Sequence, residues 1–278
     1  MTSRRHFLAA LGASALAPSL LRAARRVAPL RGVGVQLYML RESMKADPAR
    51  TLARIAELGY QEIEWWGNWG RSPSELRAML DANGLRSPAA HIDPRDLQPD
   101  RLPALLDTAA TMGQGTLIVA WTAPAQRDSE AAWQRTATLL SNAGREAAKH
   151  GIRTGYHNHD FEFQRFGTRT GLEILMAETD PAVVDIELDC FWAFKAGHDP
   201  IAFLEAHKAR VTMLHLKDSD GSAQHAQREV GRGVIDWKRL LSVALANRVQ
   251  NVFVEMDDPA DAWASAGLGR AYLRTLGY

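Results

Sequence analysis

Apolar residues recur along this chain in two alternating rhythms. Short runs with period-two alternation, or with unbroken apolar character, read as strands; longer runs with a 3.6-residue period, stopped by glycine, read as helices. Gly32–Leu40 (GVGVQLYML) predicts a first strand, and Pro48–Leu58 a helix stopped by Gly59. Tyr60–Trp66 predicts a second strand, Ser74–Asn83 a helix ending at Gly84, and Arg86–Asp93 a third strand, followed by a helix from Pro99 to Met112. Gly115–Trp121 is the fourth strand and Ser129–His150 a long helix stopped by Gly151. The fifth strand is the stretch Gly155–Phe163, and a helix near Gly171–Thr179 leads to the sixth, Val183–Phe191. A helix at Ile201–His207, a strand at Val211–Lys217, a helix at Trp237–Ala246, a strand at Asn251–Met256 and a closing helix at Ala260–Leu276 complete the series. Eight strand–helix repeats in about 250 residues predict a single parallel (β/α)8 barrel. An open doubly wound sheet would call for a Gly-x-Gly-x-x-Gly turn after the first strand, and none stands there.

The N-terminus breaks the rhythm. Met1-Thr2-Ser3-Arg4-Arg5-His6-Phe7-Leu8 precedes an apolar, small-residue run from Ala9 to Leu21. That run is too short to span a bilayer as a mature helix, and with its charged start it reads as an export signal. Ser-Arg-Arg-x-Phe-Leu resembles the twin-arginine motif, whose pathway carries folded proteins. Residues 1–26 are therefore read as signal and 27–278 as the barrel domain, with a periplasmic location. Ala23-Ala24 is the candidate cleavage region, crowded by Arg22, Arg25 and Arg26.

Removing the signal changes the charge. The chain has 33 basic and 32 acidic side chains, and residues 1–26 hold five of the basic ones and no acid, so the remainder is acidic by four. A mildly acidic body is a poor electrostatic partner for nucleic acid. The single cysteine, Cys190, can form no internal disulfide and does not decide the redox compartment.

Chemistry concentrates at the strand ends, where such barrels carry their active sites. Strand five contributes Gly155-Tyr156-His157-Asn158-His159-Asp160-Phe161-Glu162-Phe163, in which His157 and His159 share a face. Strand six ends at Asp189 with Glu187 on the same face, strand seven offers His215, Lys217 and Asp218, and strand eight Glu255. Each residue has a plain structural reading as a cap, a core histidine or an ion-pair partner. Together, imidazoles and carboxylates from four successive strands fit one divalent ion of the Mn, Co, Zn or Fe type better than calcium. Trp65, Trp66, Trp69, Trp121, Trp192 and Phe163 fall at or beyond strand ends, and hydrophobic packing accounts for at least half of them. Trp66, Trp121 and Trp192 are the candidates for a sugar-binding platform, and His91 at the end of strand three is a candidate for the same cavity.

Four segments together carry a resemblance: Tyr-His-Asn-His-Asp-Phe-Glu-Phe at 156–163, His-Leu-Lys-Asp at 215–218, Gly-Arg-Gly-Val-Ile-Asp-Trp at 231–237 and Phe-Val-Glu-Met-Asp at 253–257. Across nearly all of the mature chain they resemble the sugar isomerase/epimerase group of the xylose-isomerase-like TIM barrels, which also includes endonuclease IV. The resemblance implies one metal ion held by His157, Asp189, His215 and Glu255. Ketose epimerases of this group usually place Glu where His157 stands, pairing it with the last Glu as acid and base, and often His where Trp192 stands. Both departures weigh against an ordinary ketose 3-epimerase.

The implied chemistry is proton removal beside a carbonyl, through an enediolate, on an unphosphorylated carbohydrate. Glu255, His159 and Lys217 are the acid–base candidates, with Glu162 a further polar contact. Reprotonation gives an isomerase or epimerase. Loss of a neighbouring oxygen instead gives a lyase, the reading that matches exported members resembling 3-keto-glycoside lyases or hydrolases. An endonuclease IV-like enzyme would need a multi-zinc cluster and a basic face, and a sugar-binding protein would not need the complete ligand set. The expected partner is a small carbohydrate, with no nucleic acid and no stable membrane insertion after signal removal; a homo-oligomer is left open.

Overall fold

The structure, a computed structural model, describes residue 30 and residues 32–278. The signal segment read at 1–26 lies outside the described residues. Eight strands form the barrel: β1 Gly32–Gln36, β2 Glu62–Trp65, β3 Arg86–Ile92, β4 Thr116–Val119, β5 Arg153–His157, β6 Val184–Asp189, β7 Val211–Leu216 and β8 Asn251–Val254. Every neighbouring pair is parallel, and β8 returns to β1 in the register Gly32↔Asn251 to Val35↔Val254, closing the sheet. The expected (β/α)8 barrel is therefore the observed one.

The surrounding helices start where the sequence supplies caps. Ser72 and Glu75 form a reciprocal capping box before Pro73–Ala82, as do Thr170 and Glu173 before Gly171–Glu178. Asp47 caps Pro48–Glu57 and Ser129 caps Glu130–Ala148. Each helix lays an apolar stripe on the barrel, Leu52 and Ile55 in one case, Trp133, Ala137 and Leu140 in another. No helix among the described residues is long and apolar enough to cross a membrane.

Three predicted strands run on too far. The first ends at Gln36, whose side chain accepts from the Tyr38 N–H and turns Leu37–Leu40 into a 3-10 helix. The fifth ends at His157, and Phe161–Phe163 is a 3-10 turn rather than strand. The sixth ends at Asp189, which caps a short helix, Cys190–Lys195. In each case a polar side chain captures a backbone N–H, Gln36 that of Tyr38, Glu162 that of His159 and Asp189 that of Trp192, and ends the extended run.

Inside the barrel the alternating side chains stack in layers. At the bottom Glu62 binds Arg86 at 3.0 Å and Asn251 at 2.8 Å, and Arg153 pairs with Asp185. Above lies an apolar layer of Ala89, Ile118, Met213 and Phe253. Gly34 and Gly155 make room for it: a Cβ on Gly34 would collide with the Phe253 ring, and one on Gly155 would sit 2.5 Å from Ile118 Cδ1. The inward residues next above this layer are mostly polar, and there the candidate site begins.

Candidate metal centre and cavity

The lower polar layer comes from residues at or just below the strand ends. Gln36, Glu64, His91, His157, Glu187 and His215 point inward from β1, β2, β3, β5, β6 and β7. All are buried. Glu187 Oε2 lies 2.9 Å from His91 Nε2, 3.1 Å from His157 Nδ1 and 3.2 Å from His215 Nε2. Glu64 Oε2 lies 3.0 Å from His91 Nε2 and 2.6 Å from His215 Nε2, and accepts from Gln36 Nε2 at 2.6 Å. One ligand atom each of His91, His157, Glu187 and His215 falls within 4.8 Å of the others.

The upper layer uses the opposite edges of two of the same rings. His157 Nε2 stands 3.8 Å from Asp189 Oδ2, and His215 Nδ1 stands 2.9 Å from Glu255 Oε2. Asp189, His215 and Glu255 form a second convergent set, again within 4.8 Å. Lys217, fully buried, places Nζ 3.2 Å from Asp189 Oδ2, 2.8 Å from Glu255 Oε2 and 2.8 Å from Asp257 Oδ1. Asn158 ties the ends of β5 and β6 together, its Oδ1 accepting from the Asp189 N–H at 3.0 Å. Asp189 Oδ1 accepts from the Trp192 N–H at 2.9 Å, which leaves Oδ2 turned to the site.

Charge follows geometry. Burial would depress His91, but the Glu64 and Glu187 carboxylates carry it up to about 9. His215 is held well above the usual imidazole range against its burial by Glu187, Glu64 and Glu255. His157 goes the other way, to about 3, because it is buried and faces the His215 charge. Burial lifts Asp189 to about 6 against the pull of Lys217. Glu255, also buried, is held well below the carboxylate range by Lys217 and His215. Lys217 remains firmly cationic in spite of complete burial, because Asp189, Glu255 and Asp257 surround it. Opposite shifts in touching groups make this cluster the candidate functional site.

A cavity of about 870 Å³ opens above these layers. His91, His157, His159 and Glu255 line its floor, and Trp66, Trp121 and Trp192 its sides. Of the residues predicted from sequence, these seven reach it directly. His159 lies beyond the end of β5, yet it stacks on Phe161 and approaches Trp192 with centroids 5.2 Å apart. Its Nδ1 is buried without a hydrogen-bond partner. Asp189, His215 and Lys217 sit just behind the lining. Trp121 is 53% exposed at the rim.

Glu162 is not brought to the cavity. Its two oxygens accept from the Tyr156 hydroxyl at 2.8 Å and the His159 N–H at 2.7 Å, so it braces the turn that carries His159. Asp218 is structural as well: its carboxylate accepts from backbone N–H groups of residues 231–235 and from the Trp237 indole, pinning the loop that follows β7. Two cavity or site groups were missed. Glu64 lies on the inward face of β2, where the Glu62-Ile63-Glu64 alternation was the available signal. Asp257 lines the cavity, pairs with Lys217 and binds Gln227, two residues beyond Glu255 in the alternation that singled Glu255 out.

A closed parallel barrel with a histidine–carboxylate cluster at its strand ends defines a class, and the family is shown directly. The chain belongs to the xylose isomerase-like TIM barrel family, whose model matches residues 52–275. It is 27% identical over 213 residues to an inosose dehydratase of Geobacillus kaustophilus, covering 69% of this chain and 68% of that one. Relatives of the same name from Bacillus species are matched over only 30% of their length. Among solved structures, a sugar phosphate isomerase/epimerase from Parabacteroides distasonis aligns with a TM-score of 0.74 at 24% identity, covering 87% of this chain and 93% of that one. The IOLI protein with a bound zinc atom aligns with a TM-score of 0.67 at 14% identity, covering 88% and 97%. At these identities the structures share the fold.

Proposed function

We propose that this protein is a metal-dependent enzyme that removes a proton beside the carbonyl of an unphosphorylated keto-sugar or keto-cyclitol and expels the oxygen substituent on the next carbon. The carrying observation is the composition of the cavity lining: Glu255 stands with the imidazoles of His157 and His159, the latter with an unpartnered nitrogen, while the further carboxylate Asp257 is taken up by Lys217 and Gln227. Epimerisation by paired carboxylates across the ring has no second carboxylate where His157 stands. The inosose dehydratase name of a relative aligned over most of the chain is in keeping with this reading.

The residues fit a metal. Imidazole and carboxylate atoms converge within ion-binding distance, and the buried Asp189 Oδ2 accepts no hydrogen bond. His157, Asp189, His215 and Glu255 would hold one divalent ion (Mn, Co, Zn or Fe) next to the cavity. When bound, such an ion polarises a carbonyl and a neighbouring hydroxyl and so acidifies the C–H between them. The chain's own groups do the rest. Glu255, fixed through Oε2 by His215 and Lys217, takes the proton and passes it to the departing oxygen, while His159, kept neutral by its burial, offers that oxygen a ring N–H hydrogen bond. Lys217 keeps Glu255 and Asp189 ionised. Trp66, Trp121 and Trp192 offer flat faces to the ring.

The same floor supports a second reading. Glu255 and His159 face one cavity and together can take and return a proton, which makes an isomerase or epimerase. Incubating the Mn- or Co-loaded protein in D2O with an inosose, a 3-keto-glucoside and a free ketose separates the two by NMR. Loss of water or aglycone supports the lyase. Deuterium entering beside the carbonyl of an intact skeleton supports the isomerase and refutes the lyase. Export by the twin-arginine route to the periplasm belongs to the same proposal and rests on Ser3-Arg4-Arg5-His6-Phe7-Leu8.

A further inference from the structure

The two polar layers share two rings, and each shared ring gives one nitrogen to each layer. His157 presents Nδ1 to Glu187 and Nε2 to Asp189. His215 presents Nε2 to Glu64 and Glu187 and Nδ1 to Glu255. A neutral imidazole has one lone pair for a metal and one N–H for an acceptor, so whichever layer holds an ion, the carboxylates of the other receive the N–H groups.

We propose that the lower layer is a metal site in its own right, with His91, His157 and His215 giving three nitrogens and Glu187 one oxygen. It takes a divalent ion of the zinc or cobalt class in the substrate-free protein. This inference rests on the proposed metal dependence and adds a second position for the ion, filled in place of the upper one and not beside it.

Three observations carry it. The first is donor geometry. A four-coordinate ion with metal–nitrogen distances of about 2.0–2.1 Å holds its ligand atoms roughly 3.3 Å apart. The Glu187 oxygen stands 2.9, 3.1 and 3.2 Å from the three imidazole nitrogens. The second is saturation of the upper layer. Lys217 already lies against Asp189, Glu255 and Asp257, so the upper layer has a fixed ammonium that repels a second cation placed there. No lysine or arginine touches Glu187 or Glu64 among the described ion pairs. The third is unmet polarity: Glu64 Oε1 and Glu187 Oε1 are both buried without a hydrogen-bond partner. Glu64 Oε2 lies against the same His91 and His215 Nε2 atoms, so it stands beside this site as a further carboxylate.

The test needs no variant to begin with. X-ray absorption of the substrate-free, Co(II)-loaded wild-type protein counts imidazole ligands. Three are expected, because His91 belongs only to the lower layer; two would place the ion in the upper layer and overturn the proposal. His91→Asn and Glu187→Gln, checked for folding by circular dichroism, should lose the visible bands of four-coordinate cobalt and weaken binding by about tenfold or more. Asp189→Asn should keep both. The reverse pattern, or two cobalt ions per chain, also overturns it. Two imidazoles with activity intact would leave the proposed function standing, whereas no bound cobalt and no metal-dependent turnover would remove both.

Discussion

Asp218 offers a sharp test of how the loop after β7 is held. It is completely buried and accepts five N–H groups. Ser219 at 2.9 Å and Ile235 at 3.2 Å donate to Oδ1, while Gly231 at 3.0 Å, Gly233 at 3.1 Å and the Trp237 indole at 2.7 Å donate to Oδ2. Asparagine has nearly the same shape but only one acceptor oxygen. In its better orientation it keeps the three donors on one side and points an NH2 at the other two. Two hydrogen bonds to a charged group, each worth about 1.5–3 kcal/mol, are then lost, so Asp218→Asn should destabilise by about 3–6 kcal/mol. That is a large share of the roughly 5–15 kcal/mol holding a typical domain together. Urea unfolding followed by tryptophan fluorescence and far-ultraviolet circular dichroism measures it. Asp258→Asn is the control: that residue pairs with Arg41 from a side chain 83% exposed, and its loss should cost no more than about 1 kcal/mol. If Asp218→Asn unfolds at the control's midpoint, the five-donor cradle does not hold the loop and the reasoning fails.

Other expectations follow from other parts of the molecule. Burial carries Glu162 up from 4.5 to about 8, so between those values the folded protein holds a proton that the unfolded chain has released. Its contribution to stability therefore falls as pH rises through that window; Glu162→Gln should flatten the decline between pH 5 and 8, and parallel curves for the two proteins would refute this. Trp121→Ala, at a half-exposed rim position, should leave the unfolding midpoint nearly unchanged and raise KM for a ring substrate by about 2- to 13-fold, the equivalent of 0.5–1.5 kcal/mol of stacking; an unchanged KM removes Trp121 from the binding surface. Gly155→Ala should cost about 1–3 kcal/mol by driving a methyl into Ile118, measured by the same urea titration, and a neutral result would mean the apolar layer yields. Replacing Arg4 and Arg5 with Lys should keep the protein in the cytoplasm on cell fractionation, and undiminished export would refute the twin-arginine assignment.

Much of this could be read before any coordinates. Eight apolar runs separated by glycine-stopped helices fixed the barrel, because parallel strands buried on both faces and helices with one apolar stripe leave different rhythms. The strand ends were harder. At Gln36 and Asp189 the apolar run continues and after His157 a period-two alternation does, and the break comes from one side chain bonding a nearby backbone N–H. Hydrophobicity does not record such a bond.

The site was half legible for a related reason. His157, Asp189, His215 and Glu255 stood out because histidine and acid at successive strand ends are rare, and the structure gathers all four. It also divides them. Asp189, His215 and Glu255 converge in one layer, while the ligand-bearing edge of His157 clusters with Glu187 one step lower. Sequence gives the face a residue occupies, through period two, but not its height in the barrel, because height depends on the shear between strands. Glu64 shows the consequence. Its strand reads as an ordinary polar–apolar alternation in which the polar side is the solvent side; in a closed barrel that side is the interior. A buried carboxylate there needs partners, and it finds them in Gln36 and His91 on the two neighbouring strands, 28 and 27 positions away, and in His215 on a distant strand, 151 positions away. Closure of the sheet is what brings His215 to Glu64, which is why the sharing of one carboxylate by His91 and His215 had no reading until the fold was known.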